Sequence, residues 1–350
     1  MTQTLASTTS TASTAFPAAA SASNGFPAAS GAGTARARRL LRAVAVVACL
    51  PYLGLKVAWI AGSHVGIPAG SVLLDHRVTM AVANGLTVLL DSCVIALALV
   101  LTRPWGLRVP AWPLAFPVWV ATGLLAPIMA GFPLQLLTRA FGEDTATASG
   151  PGGEPFLHSW VFAVVYTGFI VQGLALGTLF VLYARGRWGQ LWHGRVGDLP
   201  VRAVAAPFKA VAVIGAVLAA FPLAVRLYWA SGGTAGLGTG EHADGLRVLE
   251  GMHVAFLAAA VTGTLLLALR RARRLPVAVP LASAWVCSGA AACWGGWVLL
   301  ATLMPADDPA DRPDTLMTLT YAGQMTVGLL LASVGAHFLT RRSVTARTRP

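Results

Sequence analysis

Eight apolar runs, each close to twenty residues long or longer, constrain this chain more than any other feature. They fall near 41–61, 79–101, 112–130, 157–183, 203–230, 247–269, 277–303 and 315–339. At about 1.5 Å of rise per residue, each can cross a hydrocarbon core roughly 30 Å thick. In lipid a backbone has no water to bond to, so a lone run of this length must satisfy its own amides as an α-helix. The expected fold class is therefore all-α, a polytopic membrane protein with eight transmembrane helices. Composition supports this, because 56% of the 350 residues are hydrophobic and only 11% are charged. A soluble domain carries about 25% charged residues.

The charges alternate with the spans. Arg36, Arg38, Arg39 and Arg42 precede the first, and Arg103 and Arg108 separate the second from the third. Arg185, Arg187, Arg195, Arg202 and Lys209 join the fourth to the fifth; Arg270, Arg271, Arg273 and Arg274 join the sixth to the seventh; Arg341, Arg342, Arg347 and Arg349 follow the eighth. With eight spans all of these fall on one side, and most of the acids fall on the other. Lys and Arg mark cytoplasmic loops, so both termini are expected in the cytoplasm and the chain in the bacterial inner membrane. The net charge of +12 is thereby explained without a nucleic-acid partner, since nucleic-acid binders carry their basic patches on a folded soluble surface. The lipid bilayer is the expected partner, together with a small or amphipathic substrate or an unidentified protein.

The uncharged Ala, Ser, Thr, Gly and Pro of residues 1–34 show no apolar periodicity, so 1–39 is expected as a disordered cytoplasmic tail. A first helical half spans 40–185, a cytoplasmic linker 186–202, a second half 203–340 and a short tail 341–350. Pro113, Pro117 and Pro127 should bend the third span. The stretch from Phe132 to Phe141 is amphipathic and is expected to lie at the outer interface. The cysteines, Cys49, Cys93, Cys287 and Cys293, all fall inside spans and show neither CxxC nor zinc spacing. No cofactor or metal is expected.

The halves resemble each other. Lys56, Trp59, Gly62 and Gly66 match Arg226, Trp229, Gly232 and Gly236 at one constant offset. Gly85 matches Gly251, Trp119 and Gly123 match Trp285 and Gly289, and Tyr166, Gly168 and Gly173 match Tyr321, Gly323 and Gly328. A unit of four spans enters twice from the same side, so the expectation is two parallel four-helix repeats with any central site between them. Gly173 and Gly177, and Ser288, Ala292 and Gly296, offer small-residue packing faces.

Polar residues inside the spans are the candidates for function, because an ionisable group in lipid is costly. Asp91 lies about 18 Å from the end of its span marked by Arg103, and Lys56 about 21 Å from Arg42, so they reach similar depth. A contact between them would be either a proton or substrate site or a structural ion pair. In the second half Arg226 repeats Lys56, but Leu257 stands where Asp91 would be. There the nearest acid is Glu250, with His253 one turn further in, either pH-sensitive or simply hydrogen-bonded in its helix. Trp59 and Trp229, one turn beyond the two cations, belong to an aromatic belt or line a substrate vestibule. The run Gly236 to Gly240 follows no strand, which excludes a phosphate loop.

Pro51-Tyr52, Lys56, Trp59 and the run Arg103-Pro104-Trp105-Gly106-Leu107-Arg108-Val109-Pro110 resemble uncharacterised multi-span membrane proteins of actinobacteria. That resemblance implies an inner-membrane location and brings no activity. Three classes remain open: a transporter or permease-like protein, an enzyme acting on a lipid or isoprenoid with Asp91 and Glu250 as acid and partner, and a non-catalytic assembly or immunity subunit.

Overall fold

The computed structural model describes residues 29–69, 71, 74, 77–141, 157–200, 203–237, 244–302 and 314–347. The chain divides into a short N-terminal unit, Met1–Ala37, and a main unit, Arg38–Pro350. The described part of the first is the opening of helix α1 (Ala29–Ile60). The second holds the rest of α1 with α2 (Arg77–Val100), α3 (Ala111–Ala140), α4 (Ser159–Trp188), α5 (Ala206–Ala230), α6 (Asp244–Ala268), α7 (Ala278–Thr302) and α8 (Thr315–Arg347). All eight helices are long and apolar enough to cross a membrane. Large apolar side chains such as Leu50, Leu89, Phe116, Leu174, Val217, Val279 and Leu329 lie exposed on seven of them. This is tolerable only where the surrounding solvent is hydrocarbon.

Several boundaries differ from those expected. Helix α1 already runs from Ala29, inside the stretch expected as a tail, and residues 1–28 lie outside the described residues. The Phe132–Phe141 stretch, expected beyond the third span, belongs to the same helix. It continues α3 as far as Ala140, with Pro117, Pro127 and Pro133 inside the helix. The Phe132 ring stacks on Tyr166 of α4 with centroids 4.9 Å apart, which gives this extension a partner. The C-terminal tail is helical as far as Arg347. The 186–202 linker is packed rather than loose, because Val196 and Leu199 are buried in a core with Leu267, Val277 and Phe338. Its backbone bonds the α6–α7 corner through Val196 N to Leu275 O and Gly197 N to Arg273 O, each 2.9 Å.

The basic loops gather at one end of the helices. Tyr183 of α4 donates to the Gly106 carbonyl of the α2–α3 loop (2.9 Å), and Arg187 to Val109 O (2.7 Å). Arg342 of α8 reaches His193 O of the linker (3.2 Å), and Arg38 of α1 reaches Leu182 O (3.4 Å). Cations on the last turns of α4 and α8 also suit the negative end of each helix dipole.

Packing is unequal between the halves. Helices α5, α6, α7 and α8 close a ring in which each packs along its two neighbours. In the first half α3 packs on α4, while α2 touches both only lightly. Helix α1 meets α4 chiefly through side chains: Tyr52 stands edge-on to Phe169 with centroids 4.8 Å apart. An apolar groove remains on the outer surface between Val44, Val47 and Pro51 of α1 and Val164, Gly168 and Val171 of α4.

The halves join through α3 and α7. At their crossing Gly123 faces Gly289, and a Cβ added at Gly123 would lie 2.5 Å from the Gly289 carbonyl. Trp119 donates its indole N–H to Ser288 Oγ (3.3 Å), and Trp294 donates to Leu124 O (3.0 Å). The small residues of α7 divide their work. Ser288 faces α3, whereas Ala292 and Gly296 lie against Gly328 and Met325 of α8. On α4, Gly173 lies against Met129, but a Cβ at Gly177 would meet nothing within 4 Å, so only half of that glycine pair is a packing site.

Candidate functional site

The lipid-crossing helices bury two polar clusters, one in each half. The second-half cluster is closed. Arg226 on α5 is 2% exposed and Glu250 on α6 is 5% exposed. The Arg226 guanidinium donates to Glu250 Oε2 through Nη1 and to Gln324 Oε1 on α8 through Nε, both at 2.5 Å. Its face lies over the Tyr321 ring, 5.2 Å from the centroid. A planar fork that meets a carboxylate, an amide oxygen and a π face at once is what arginine offers and lysine does not. His253, one turn along α6, has Nδ1 2.8 Å from its own helix at Leu249 O, and its ring stands edge-on to Trp294. This backbone contact is the one expected of a hydrogen-bonded helix histidine.

The first-half cluster is open. Asp91 on α2 is only 4% exposed, and its Oδ2 is a buried oxygen without a hydrogen-bond partner. Gln172 of α4, itself 1% exposed, lies against the carboxylate. Lys56 is within electrostatic reach of Asp91, but the two do not close into the direct contact expected for them. Instead the half-buried Lys56 ammonium sits over two rings of its own helix, Tyr52 and Trp59, 4.9 Å from each centroid. The geometry explains this. Tyr52 and Trp59 stand four residues before and three residues after Lys56, on one face of α1, so their rings flank its side chain. Thr87 of α2 lies against the Tyr52 hydroxyl, and Tyr166 of α4 is close by.

Aligning the halves in the register of their matching glycines shows where they part. In the register of Gly85 with Gly251, Asn84 stands opposite Glu250 and Asp91 opposite Leu257. In the register of Gly173 with Gly328, Phe169 stands opposite Gln324 and Gln172 opposite Val327. The second-half acid and amide that hold the cation are thus replaced by Asn84 and Phe169. The first-half acid and amide stand where the second half has Leu257 and Val327, both core residues no more than 1% exposed. Seven residues separate Asn84 from Asp91, nearly two full turns. In that alignment the first-half acid falls on the same helix face, two turns along the sequence from the position matching Glu250. Gln172 and Gln324 were not among the sequence candidates. The signal that could have found them is an amide within an otherwise apolar span, lying on the face shared with a charged residue.

Trp59 and Trp229 have a further structural role. Each is buried and pins the turn that follows it: Trp59 Nε1 donates to Val65 O (2.8 Å) and Trp229 Nε1 to Ala235 O (2.9 Å). Gly62 and Gly66, and Gly232 and Gly236, take the left-handed φ values of 91°, 79°, 97° and 80° that these corners need. Between the halves, at the α3–α7 crossing, backbone meets backbone at Gly123 and Gly289. Asp91 and Glu250, the pair an enzymatic reading requires, belong to different clusters. No family model, curated protein or solved structure matches this chain.

Proposed function

We propose that this chain is a permease-like protein of the bacterial inner membrane, built as two parallel four-helix repeats with both termini in the cytoplasm. Its substrate site lies inside the first repeat, around Asp91, Lys56 and Gln172. The observation that carries this reading is the unpartnered Oδ2 of a carboxylate that is 4% exposed within an apolar helix. A buried anion without its hydrogen bonds is costly, and such a cost is borne where a ligand supplies the missing partner. Three features support it: α1 and α2 hold loosely to their neighbours, the equivalent positions of the second half are closed or apolar, and the basic loops share one end. The matching Trp59 and Trp229 corners and the Gly123–Gly289 crossing support the repeat.

The test uses the purified full-length protein. A panel of charged and amphipathic solutes is screened for a rise in thermal midpoint, and each active compound is then tried for flux in proteoliposomes. A compound that stabilises and crosses with the wild type, but not with Asp91→Asn, is the expected result. Saturable binding that survives Asp91→Asn, or no binding and no flux for any solute, would overturn the reading.

A further inference from the structure

We infer that the ligand of this first-half site is a zwitterion, with its ammonium group at Asp91 and its anionic group at Lys56. The inference rests on the site proposed above and adds the charge pattern of what enters it. Two opposite charges lie within electrostatic reach of each other in an apolar setting, yet neither meets the other directly. Asp91 keeps an oxygen that accepts nothing, so it lacks a donor. The half-buried Lys56 ammonium lies over two ring faces and makes no ion pair with Asp91, so an anionic group can still reach it. The second half shows what a satisfied arrangement looks like, with the cation in contact with its carboxylate and its amide at 2.5 Å.

A ligand of single charge would complete one of the two groups and leave the other without a counter-charge. A zwitterion completes both and leaves the net charge of the site unchanged. Gln172 against the carboxylate adds an amide that can orient the ammonium end. The required chemistry is a primary ammonium with N–H donors joined to a carboxylate or phosphate. It is found both in free amino acids or amino-phosphates and in aminophospholipid headgroups.

Binding is measured by calorimetry on the full-length protein in phosphatidylglycerol nanodiscs. The soluble probes are glycine, γ-aminobutyrate and phosphoethanolamine, which separate their charges by different lengths, with ethylamine and methyl phosphate as single-charge controls. At least one zwitterion is expected to bind ten-fold or more tightly than either control, and Asp91→Asn and Lys56→Met are each expected to remove that preference. The lipid arm uses native mass spectrometry after doping the nanodiscs with phosphatidylethanolamine or phosphatidylcholine. Selective retention of phosphatidylethanolamine, whose ammonium carries N–H donors, assigns the ligand to a headgroup; soluble binding alone assigns it to a free solute. If ethylamine binds as well as the zwitterions and Lys56→Met is without effect, the inference falls while the first-half site stands. If no zwitterion binds in either arm, the inference falls, and the solute screen decides the site independently. The wild-type comparison of probes needs no variant, so a misfolded mutant cannot rescue it.

Discussion

The two halves of this chain hold a cation at the same register, Lys56 in one and Arg226 in the other, and treat it in opposite ways. Arg226 is enclosed by a carboxylate, an amide and an aromatic face inside a ring of closely packed helices. Lys56 faces two rings of its own helix and makes no ion pair with Asp91, on an α2 that packs lightly on its neighbours. The difference lies in a handful of positions: Asn84 against Glu250, Asp91 against Leu257, Phe169 against Gln324 and Gln172 against Val327. Where the second half closes a buried ion pair, the first half leaves a buried carboxylate oxygen without a hydrogen-bond partner.

Four experiments would break or sharpen this contrast. The largest effect is expected from Arg226→Met, which strips Glu250 of its buried partner and should cost about 3–5 kcal/mol of stability. Lys56→Met should cost far less, and an equal loss in the two unfolding midpoints would end the comparison. Next, Asp91→Leu with Gln172→Val gives the first half the residues found at Leu257 and Val327. Replacing buried polar groups by fitted apolar ones is expected to stabilise by about 1–4 kcal/mol and to remove ligand binding. A destabilised double variant would show that Asp91 holds the first half together. Third, Gly289→Leu should destabilise by about 1–3 kcal/mol through overpacking against Gly123, whereas Gly177→Leu, with open space around it, should stay within about 0.5 kcal/mol. Equal effects would mean that the α3–α7 crossing is no tighter than the α4 surface. The smallest change is Trp119→Phe, which deletes the hydrogen bond to Ser288 and should cost about 1 kcal/mol. A double-mutant cycle with Ser288→Ala reads that coupling directly.

The helices were legible because lipid leaves the chain one way to satisfy its backbone, and the length of Val78–Val100 or Ala206–Ala230 states it outright. The ends were less legible. The amphipathic pattern of Phe132–Phe141 set it beyond the third span, while in the structure the ring of Phe132 stacks on Tyr166 and the helix continues. In sequence the linker reads only as a connection, but Val196 and Leu199 are buried against α6 and α7, a long-range contact that no local pattern announces. In the candidate site, the likeness of Arg226 to Lys56 and the nearest acid on its neighbouring span pointed to the pair that Arg226 and Glu250 form. Depth counting set Lys56 beside Asp91 but could not show which way each side chain turns. The two flanking rings on α1 decided that, and they are visible only once the helix is built.

The corners after Trp59 and Trp229 carry a consequence of another kind. Each bends the chain with one indole and two left-handed glycines, while the residues that accept the indole bond, Val65 and Ala235, contribute only their backbone oxygens. Such a corner is specified by three letters and is nearly indifferent to the rest. Saturation mutagenesis of 59–66 and 229–236 should then return two tolerance profiles that overlay, strict at the first, fourth and eighth positions and permissive between, even where the two segments spell different words.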